Sequence, residues 1–266
     1  MSEGKVFPTG TFCWVELETS DAASARGFYS DLLGWDTNTV EMGELGTYTL
    51  LQLDSNNIAG LYNLNDDQKQ QGVPPHWLSY VLVEDADASA NKATELGGNV
   101  IMGPFDIGDV VRMAIVSDPT GAFFALFQAG EHKGAVPMDN KPGMFCWNEL
   151  ATRDPVAAQA FYSGLFGWSF EETNAGHMGT YTRYKNGDRL AAGMLEISEP
   201  MGDVSPNWMI YFAVDDCDGA AEKAQRARAN VLMPPSDIPD VGRFSVLTDP
   251  QGAAFAMIKL NAAETN

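Results

Sequence analysis

The chain states the same text twice. Residues 12–35 read FCWVELETSDAASARGFYSDLLGW, and residues 145–168 read FCWNELATRDPVAAQAFYSGLFGW, an offset of 133. Gly46-Thr47-Tyr48-Thr49 returns at the same offset as Gly179-Thr180-Tyr181-Thr182. Further on the offset becomes 131: Trp77-x-x-Tyr80 returns as Trp208-x-x-Tyr211, and Asp118-Pro119-x-Gly121-Ala122 as Asp249-Pro250-x-Gly252-Ala253. Whatever fold one copy adopts, the other must share, so the chain reads as a tandem duplication. Residues 130–143, GEHKGAVPMDNKPG, are polar and rich in Gly and Pro, as a linker should be. The expected domains are therefore 1–129 and 144–266.

Each copy divides again. Residues 12–18 read as a short strand. Ala25, Phe28, Tyr29, Leu32 and Leu33 then mark one face of a helix, which Ser20 or Asp21 can cap and Gly34 can end. Short apolar or alternating runs follow at 35–41, 48–53 and 58–64. The pattern repeats with a strand at 77–83, a helix at 87–96 ending on Gly97-Gly98, and strands near 100–104, 111–117 and 122–128. In the second copy Asp154-Pro155 supplies a cap and then a proline at the first helical position. The fold class is α+β, four β-α-β-β-β modules in two pairs.

Charge and cysteine content narrow the function. The 266 residues carry 16 basic and 36 acidic side chains, a net charge of −20. That surface repels phosphate backbones and anionic lipid, so neither nucleic acid nor membrane is expected as a partner. Cys13, Cys146 and Cys217 make no disulfide framework and no Cys-x-x-Cys pair. No apolar signal core opens the sequence and no long apolar run interrupts it, so the expected location is the cytoplasm.

The words E-L-x-T-x-D…F-Y-x-x-L-x-G-W (from Glu16 and Glu149), V-x-D (Val83 and Val214) and D-P-x-G-A-x-F (Asp118 and Asp249) cover almost the whole chain. Together they resemble the vicinal oxygen chelate superfamily of glyoxalases, bleomycin-resistance proteins and extradiol dioxygenases. Within it, the tandem arrangement is similar to two-domain glyoxalase-like proteins of the 27 kDa antigen subgroup. The resemblance implies modules paired into two curved mixed sheets around pockets. It also implies a metal held by four strand positions and completed by two adjacent substrate oxygens. Carried onto this sequence, those positions are Trp14, Leu78, Ala125 and a residue near Gly60 in the first copy. In the second they are Trp147, Met209, Ala256 and a residue near Gly193. None of these side chains suits a divalent cation, so no metal or other cofactor is expected. The three histidines, His76, His132 and His177, have no ligand spacing and read as ordinary surface residues.

What remains is a set of pocket candidates. Strand alternation puts Cys13, Val15 and Leu17 toward the helix and Trp14, Glu16 and Glu18 on the opposite face. It likewise gives Trp147 and Glu149 the pocket face, with Tyr80 and Tyr211 from companion strands. A Trp offers a flat apolar wall and a Glu a specific handle, with Glu16 or Glu149 a weak candidate for a catalytic base. Arg112 and Arg243, at matching places, either hold a substrate carboxylate or pair internally with Glu16 or Glu149. Tyr48 and Tyr181 read more readily as core aromatics than as pocket donors. Phe123-Phe124 reads as alternating core and pocket wall, and Cys13 and Cys146 as buried, inert thiols. The expected function is metal-independent binding of a small molecule, by a monomer with paired domains or a homodimer. The alternative is a glyoxalase-like enzyme, a lyase, isomerase or hydroxylase-type catalyst acting on a small carbonyl or aromatic metabolite.

Overall fold

The computed structural model describes residues 7–43, 46–138, 140–174, 179–198 and 201–261. His177 lies outside them. The first module runs β1 (Phe12–Thr19), α1 (Ala22–Leu33), β2 (Asp36–Glu41), β3 (Thr47–Leu53) and β4 (Asn56–Asn63). A short helix α2 (Asp66–Gln70), not anticipated from sequence, leads to the second: β5 (His76–Val83), α3 (Ala86–Glu95), β6 (Asn99–Ile107), β7 (Val111–Ser117) and β8 (Phe123–Ala129). The third is β9 (Phe145–Thr152), α4 (Pro155–Phe166), β10 (Ser169–Asn174), β11 (Thr180–Asn186) and β12 (Arg189–Glu196). The fourth is β13 (Asn207–Ala213), α5 (Cys217–Arg226), β14 (Asn230–Ile238), β15 (Gly242–Thr248) and β16 (Ala254–Leu260). Two eight-stranded mixed sheets result, in the orders β2-β3-β4-β1-β5-β8-β7-β6 and β10-β11-β12-β9-β13-β16-β15-β14.

Local chemistry sets the module. Asp21 accepts a hydrogen bond from the Ser24 amide and so caps α1; Gly34 closes it in the left-handed conformation, φ 75°. Asp154 caps α4 in the same way, with Pro155 in the first turn. The helix between the first two strands of each module allows the first strand to pair parallel with the last, since a parallel pair needs a crossover. β1 pairs so with β4, β5 with β8, β9 with β12 and β13 with β16. The remaining strands in each module follow as antiparallel neighbours.

The chain folds into two compact units, and these are interleaved in sequence. One comprises the described residues of Met1–Cys13, Leu78–Gly134 and Trp147–Met209; the other those of Trp14–Trp77, Ala135–Cys146 and Ile210–Asn266. Thus the second module shares a unit with the third, and the first with the fourth. The core of the former unit holds Val81, Val83, Phe124, Leu126, Phe161, Tyr162, Trp168 and Trp208. In the latter, Tyr29, Trp35, Trp77, Phe212 and Phe255 pack ring to ring.

The repeated words stitch each unit internally. Trp208 Nε1 donates to Tyr162 Oη (2.9 Å), and that hydroxyl donates to Asp118 Oδ2 (3.0 Å). Asp118 Oδ1 in turn accepts the amides of Thr120, Gly121 and Ala122. The other unit repeats the chain of donors: Trp77 to Tyr29 (2.9 Å), Tyr29 to Asp249 Oδ2 (3.1 Å), and the Gln251, Gly252 and Ala253 amides to Oδ1. Buried polar groups must be paired, and here each is. The tryptophans that end the F-Y-x-x-L-x-G-W words donate to backbone carbonyls at the same length, Trp168 to Gly10 and Trp35 to Gly143, both 2.8 Å.

No helix of the described residues is long and apolar enough to cross a membrane. Phe124 joins the core, whereas Phe123, expected as core or pocket wall, is half exposed at the start of β8.

Candidate functional site

Each repeat places a carboxylate, a phenol and an indole together on one sheet face, within one compact unit. In the unit that holds β9 to β12, Trp147 Nε1 donates to Tyr181 Oη at 3.0 Å, and Tyr181 donates to Glu149 Oε2 at 2.9 Å. In the other, Tyr48 donates to Glu16 Oε2, and Trp14 hydrogen-bonds Tyr48. Trp14 and Glu16 are buried, whereas Trp147, Glu149 and Tyr181 are partly open.

A glycine makes the room. The strand register sets Gly60 opposite Glu16 and Gly193 opposite Glu149. A Cβ at residue 60 would stand 1.9 Å from Tyr48 Oη and 2.7 Å from Glu16 Oε2; one at 193 would stand 1.9 Å from Tyr181 Oη and 2.9 Å from Trp147 Nε1. The tyrosine hydroxyl therefore fills the volume that a side chain would take at these positions. Tyr48 and Tyr181, expected mainly as core, are the residues that organise the site.

Electrostatics fixes their role. Burial first, and then the neighbouring charge of Glu16, holds the Tyr48 phenol well above its ordinary pKa; burial and Glu149 do the same to Tyr181. Both are hydrogen-bond donors at working pH and not phenolates. Around Glu16 the polar cluster extends. Tyr62 stacks near Tyr48 with ring centroids 6.2 Å apart and hydrogen-bonds Glu18. Buried Glu18 also accepts from Gln68 of α2, and His76 Nε2 lies 3.8 Å away. Ala151 stands in the place of Glu18 in the second repeat, so the two sites differ in charge.

The positions that the resemblance assigns to metal ligands do not suit a divalent cation. Trp14 and Trp147 offer only an N–H donor, and the Tyr48 and Tyr181 phenols receive it. Gly60 and Gly193 offer nothing, and Leu78, Ala125, Met209 and Ala256 offer no hard donor. Among the described residues, no three His, Cys, Asp or Glu side chains gather as a cation-binding set.

Two arginine expectations need correcting. Arg112 pairs with Asp87 of α3 (Nε 2.6 Å, Nη2 3.0 Å) and with Asp106 of β6 (2.9 Å), rather than with Glu16. Arg243 pairs likewise with Asp218 of α5 and Asp237 of β14, rather than with Glu149. Alternation along β7 puts Arg112 on the side of Ala114 and Val116, the core side that α3 covers, and both edges of its fork are already engaged. Tyr80 is buried, in register with Ala125 and beside Phe127; Tyr211 is buried, in register with Ala256 and beside Phe244. They lie in different units, Tyr80 with Glu149 and Tyr211 with Glu16.

Burial pushes the Cys13 thiol far up, that of Cys146 up to about 12 and that of Cys217 up to about 11, which suits none of them to nucleophilic work. His132, expected on the surface, is half-buried with its ring edge-on to Phe127, and desolvation lowers it to about 4. His76 opens β5, its Nδ1 2.9 Å from the Pro74 carbonyl.

Comparisons with known proteins agree with this architecture. The family model described as Glyoxalase/Bleomycin resistance protein/Dioxygenase superfamily matches residues 11–126 and again 145–257. A Mycobacterium bovis protein named "Putative glyoxylase CFP32" is 41% identical over 261 residues, covering 97% of this chain and 98% of that one. The anthracycline biosynthesis protein DnrV of Streptomyces peucetius is 33% identical over 264 residues, covering 96% and 94%. Among solved structures, the Mn(II)-bound glyoxalase from Novosphingobium aromaticivorans aligns with a TM-score of 0.63 at 13% identity, over 94% of this chain and 82% of that one. An extradiol ring-cleaving dioxygenase from B. fuscum aligns at 0.66 and 13%, over 99% and 74%. At such identity these last two speak for the fold alone.

Proposed function

Since the chain belongs to the glyoxalase/bleomycin resistance protein/dioxygenase superfamily, we propose that it binds a small organic molecule without a metal ion, at the Glu16 and Glu149 sites. The carrying observation is the substitution of chemistry at the ligand positions. Where the resemblance asks for hard donors, this chain has indoles, glycines and aliphatic groups, and a phenol bonded to a carboxylate fills the glycine's volume. An indole face and a fixed carboxylate are recognition elements for an aromatic or carbonyl-bearing ligand. The reading places the protein in the cytoplasm, as a monomer or homodimer, with its thiols reduced.

A thermal-shift screen in EDTA tests it, across aldehydes, 2-oxo acids, aromatic metabolites and cationic antibiotics. A ligand at 100 times its Kd stabilises the native state by about 2.7 kcal/mol, which is readily seen. The expected result is a shift in EDTA that Glu149→Gln or Tyr181→Phe weakens. A shift that appears only after Mn, Fe, Ni or Zn is restored would overturn it.

The names of the two relatives, one a glyoxylase and one a biosynthesis protein, favour a second reading. In it Glu149 or Glu16 acts as a base on a small carbonyl or aromatic metabolite, oriented by the phenol that donates to it. Full turnover by the Glu16→Gln, Glu149→Gln double variant would eliminate that mechanism.

A further inference from the structure

We propose that the two sites have diverged in ligand charge, and that the Glu149 site takes a ligand bearing a carboxylate, held by Arg183. The proposal rests on the binding reading above and names the ligand class of one of its two sites.

The strand register lines up one row of residues across four strands. Glu171 of β10 is opposite Arg183 of β11, Arg183 is opposite Gly193 of β12, and Gly193 is opposite Glu149 of β9. Arg183 lies two residues after Tyr181, so it shares the face on which Tyr181 meets Glu149. Its positive charge reaches Tyr181, where it opposes the upward pull of burial and Glu149. Gly193 stands between Arg183 and Glu149 in this row, and the Tyr181 hydroxyl takes up the space its side chain would fill.

Arg183 is only partly spent. Its Nη2 meets Glu171 Oε1 at 2.6 Å, while its Nε is buried and has no hydrogen-bond partner among the described residues. Glu171 has a second cation, Lys185 Nζ at 2.7 Å, so it does not depend on Arg183 for neutralisation. A guanidinium with one N–H unpaired beside the Nη2 that Glu171 holds, 40% exposed as a side chain, can turn its planar fork to a carboxylate. Supplying that partner would remove the cost of an unsatisfied buried donor.

The first repeat lacks all of this. Its row reads Asn38, Leu50, Gly60, Glu16, with Leu50 in the place of Arg183 and Asn38 in that of Glu171. It carries the buried carboxylate of Glu18 on the same face, with Leu50 where the second repeat has the cation of Arg183.

The test uses the full-length protein in EDTA and a panel of aromatic and 2-oxo carboxylic acids, each paired with its methyl ester, followed by titration calorimetry. The expected result is an acid that binds more tightly than its ester, with Arg183→Leu weakening the acid by about tenfold or more and leaving the ester unchanged. Arg183→Lys, which keeps the charge but not the fork, should fall between. Glu171 keeps Lys185 in both variants, and a melting curve without ligand checks the fold. Esters that bind as well as acids, or a variant that weakens both alike, would overturn the carboxylate assignment while the binding reading stands. If neither class binds, both fall.

Discussion

Tyr181 donates its hydroxyl to Glu149 Oε2 at 2.9 Å in space that exists only because residue 193 has no side chain. The relationship is repeated by Tyr48 and Glu16 over Gly60. It predicts that Gly193→Ala or Gly60→Ala pushes the phenol off the carboxylate. Overpacking of this kind costs about 1–3 kcal/mol. Melting curves should show a drop of several degrees, and ligand binding at the altered site should weaken. An unchanged melting temperature would mean that the ring has another place to go.

Tyr162→Phe should be equally damaging from a different cause. It strips Asp118 Oδ2 of its phenolic donor and Trp208 Nε1 of its acceptor. Leaving such a buried group unpaired costs roughly 1–3 kcal/mol. Tyr29→Phe, which breaks the contacts to Asp249 and Trp77, should cost about the same in the other unit. Denaturant unfolding of each variant measures this directly.

Acid should weaken the fold partly through His132. Burial lowers its imidazole to about 4, from 6.5. Between those values the unfolded chain takes up a proton that the folded chain refuses, so stability is undiminished above pH 6.5 and declines as pH falls toward 4. His132→Gln removes that contribution. The gap in melting temperature between native protein and variant should move in the variant's favour by about 5 °C from roughly pH 7 to pH 4.5. A gap that stays constant with pH would refute the assignment.

Arg112→Gln and Arg243→Gln should leave ligand affinity unchanged within error, because both side chains are occupied by aspartates on the helix-covered side of their strands. Loss of binding in either variant would return these arginines to the site.

Much of this was written in the sequence. The duplication, the order of strand and helix in each module, the Asp154-Pro155 start of α4 and the alternating faces of β1 all follow from local chemistry, which acts over a few residues. What escaped was governed by distant partners. Arg112 and Arg243 answer to aspartates on other elements, yet Asp87 and Asp218 each stand 25 residues before their arginine, a repeat that marks the pair in the sequence. Tyr48 and Tyr181 read as core because nothing local shows that a glycine on the neighbouring strand leaves room for a hydroxyl. Arg183 has no such signal, because the duplication pairs it with Leu50 and only matching residues stand out between the repeats. The interleaving of the units was illegible for the same reason: Tyr162 and Asp118, 44 residues apart, lie in different repeats.

That interleaving also bears on how such a chain could have arisen. The tyrosine of each F-Y word finds its aspartate in the opposite repeat, so a single-repeat ancestor would have had to borrow that aspartate from a second copy of itself. Joining the copies through residues 130–143 turned an encounter between molecules into one within a molecule, at an effective concentration set by the linker and not by expression. Once joined, the repeats no longer had to be identical, and one could acquire Arg183 while the other kept Leu50.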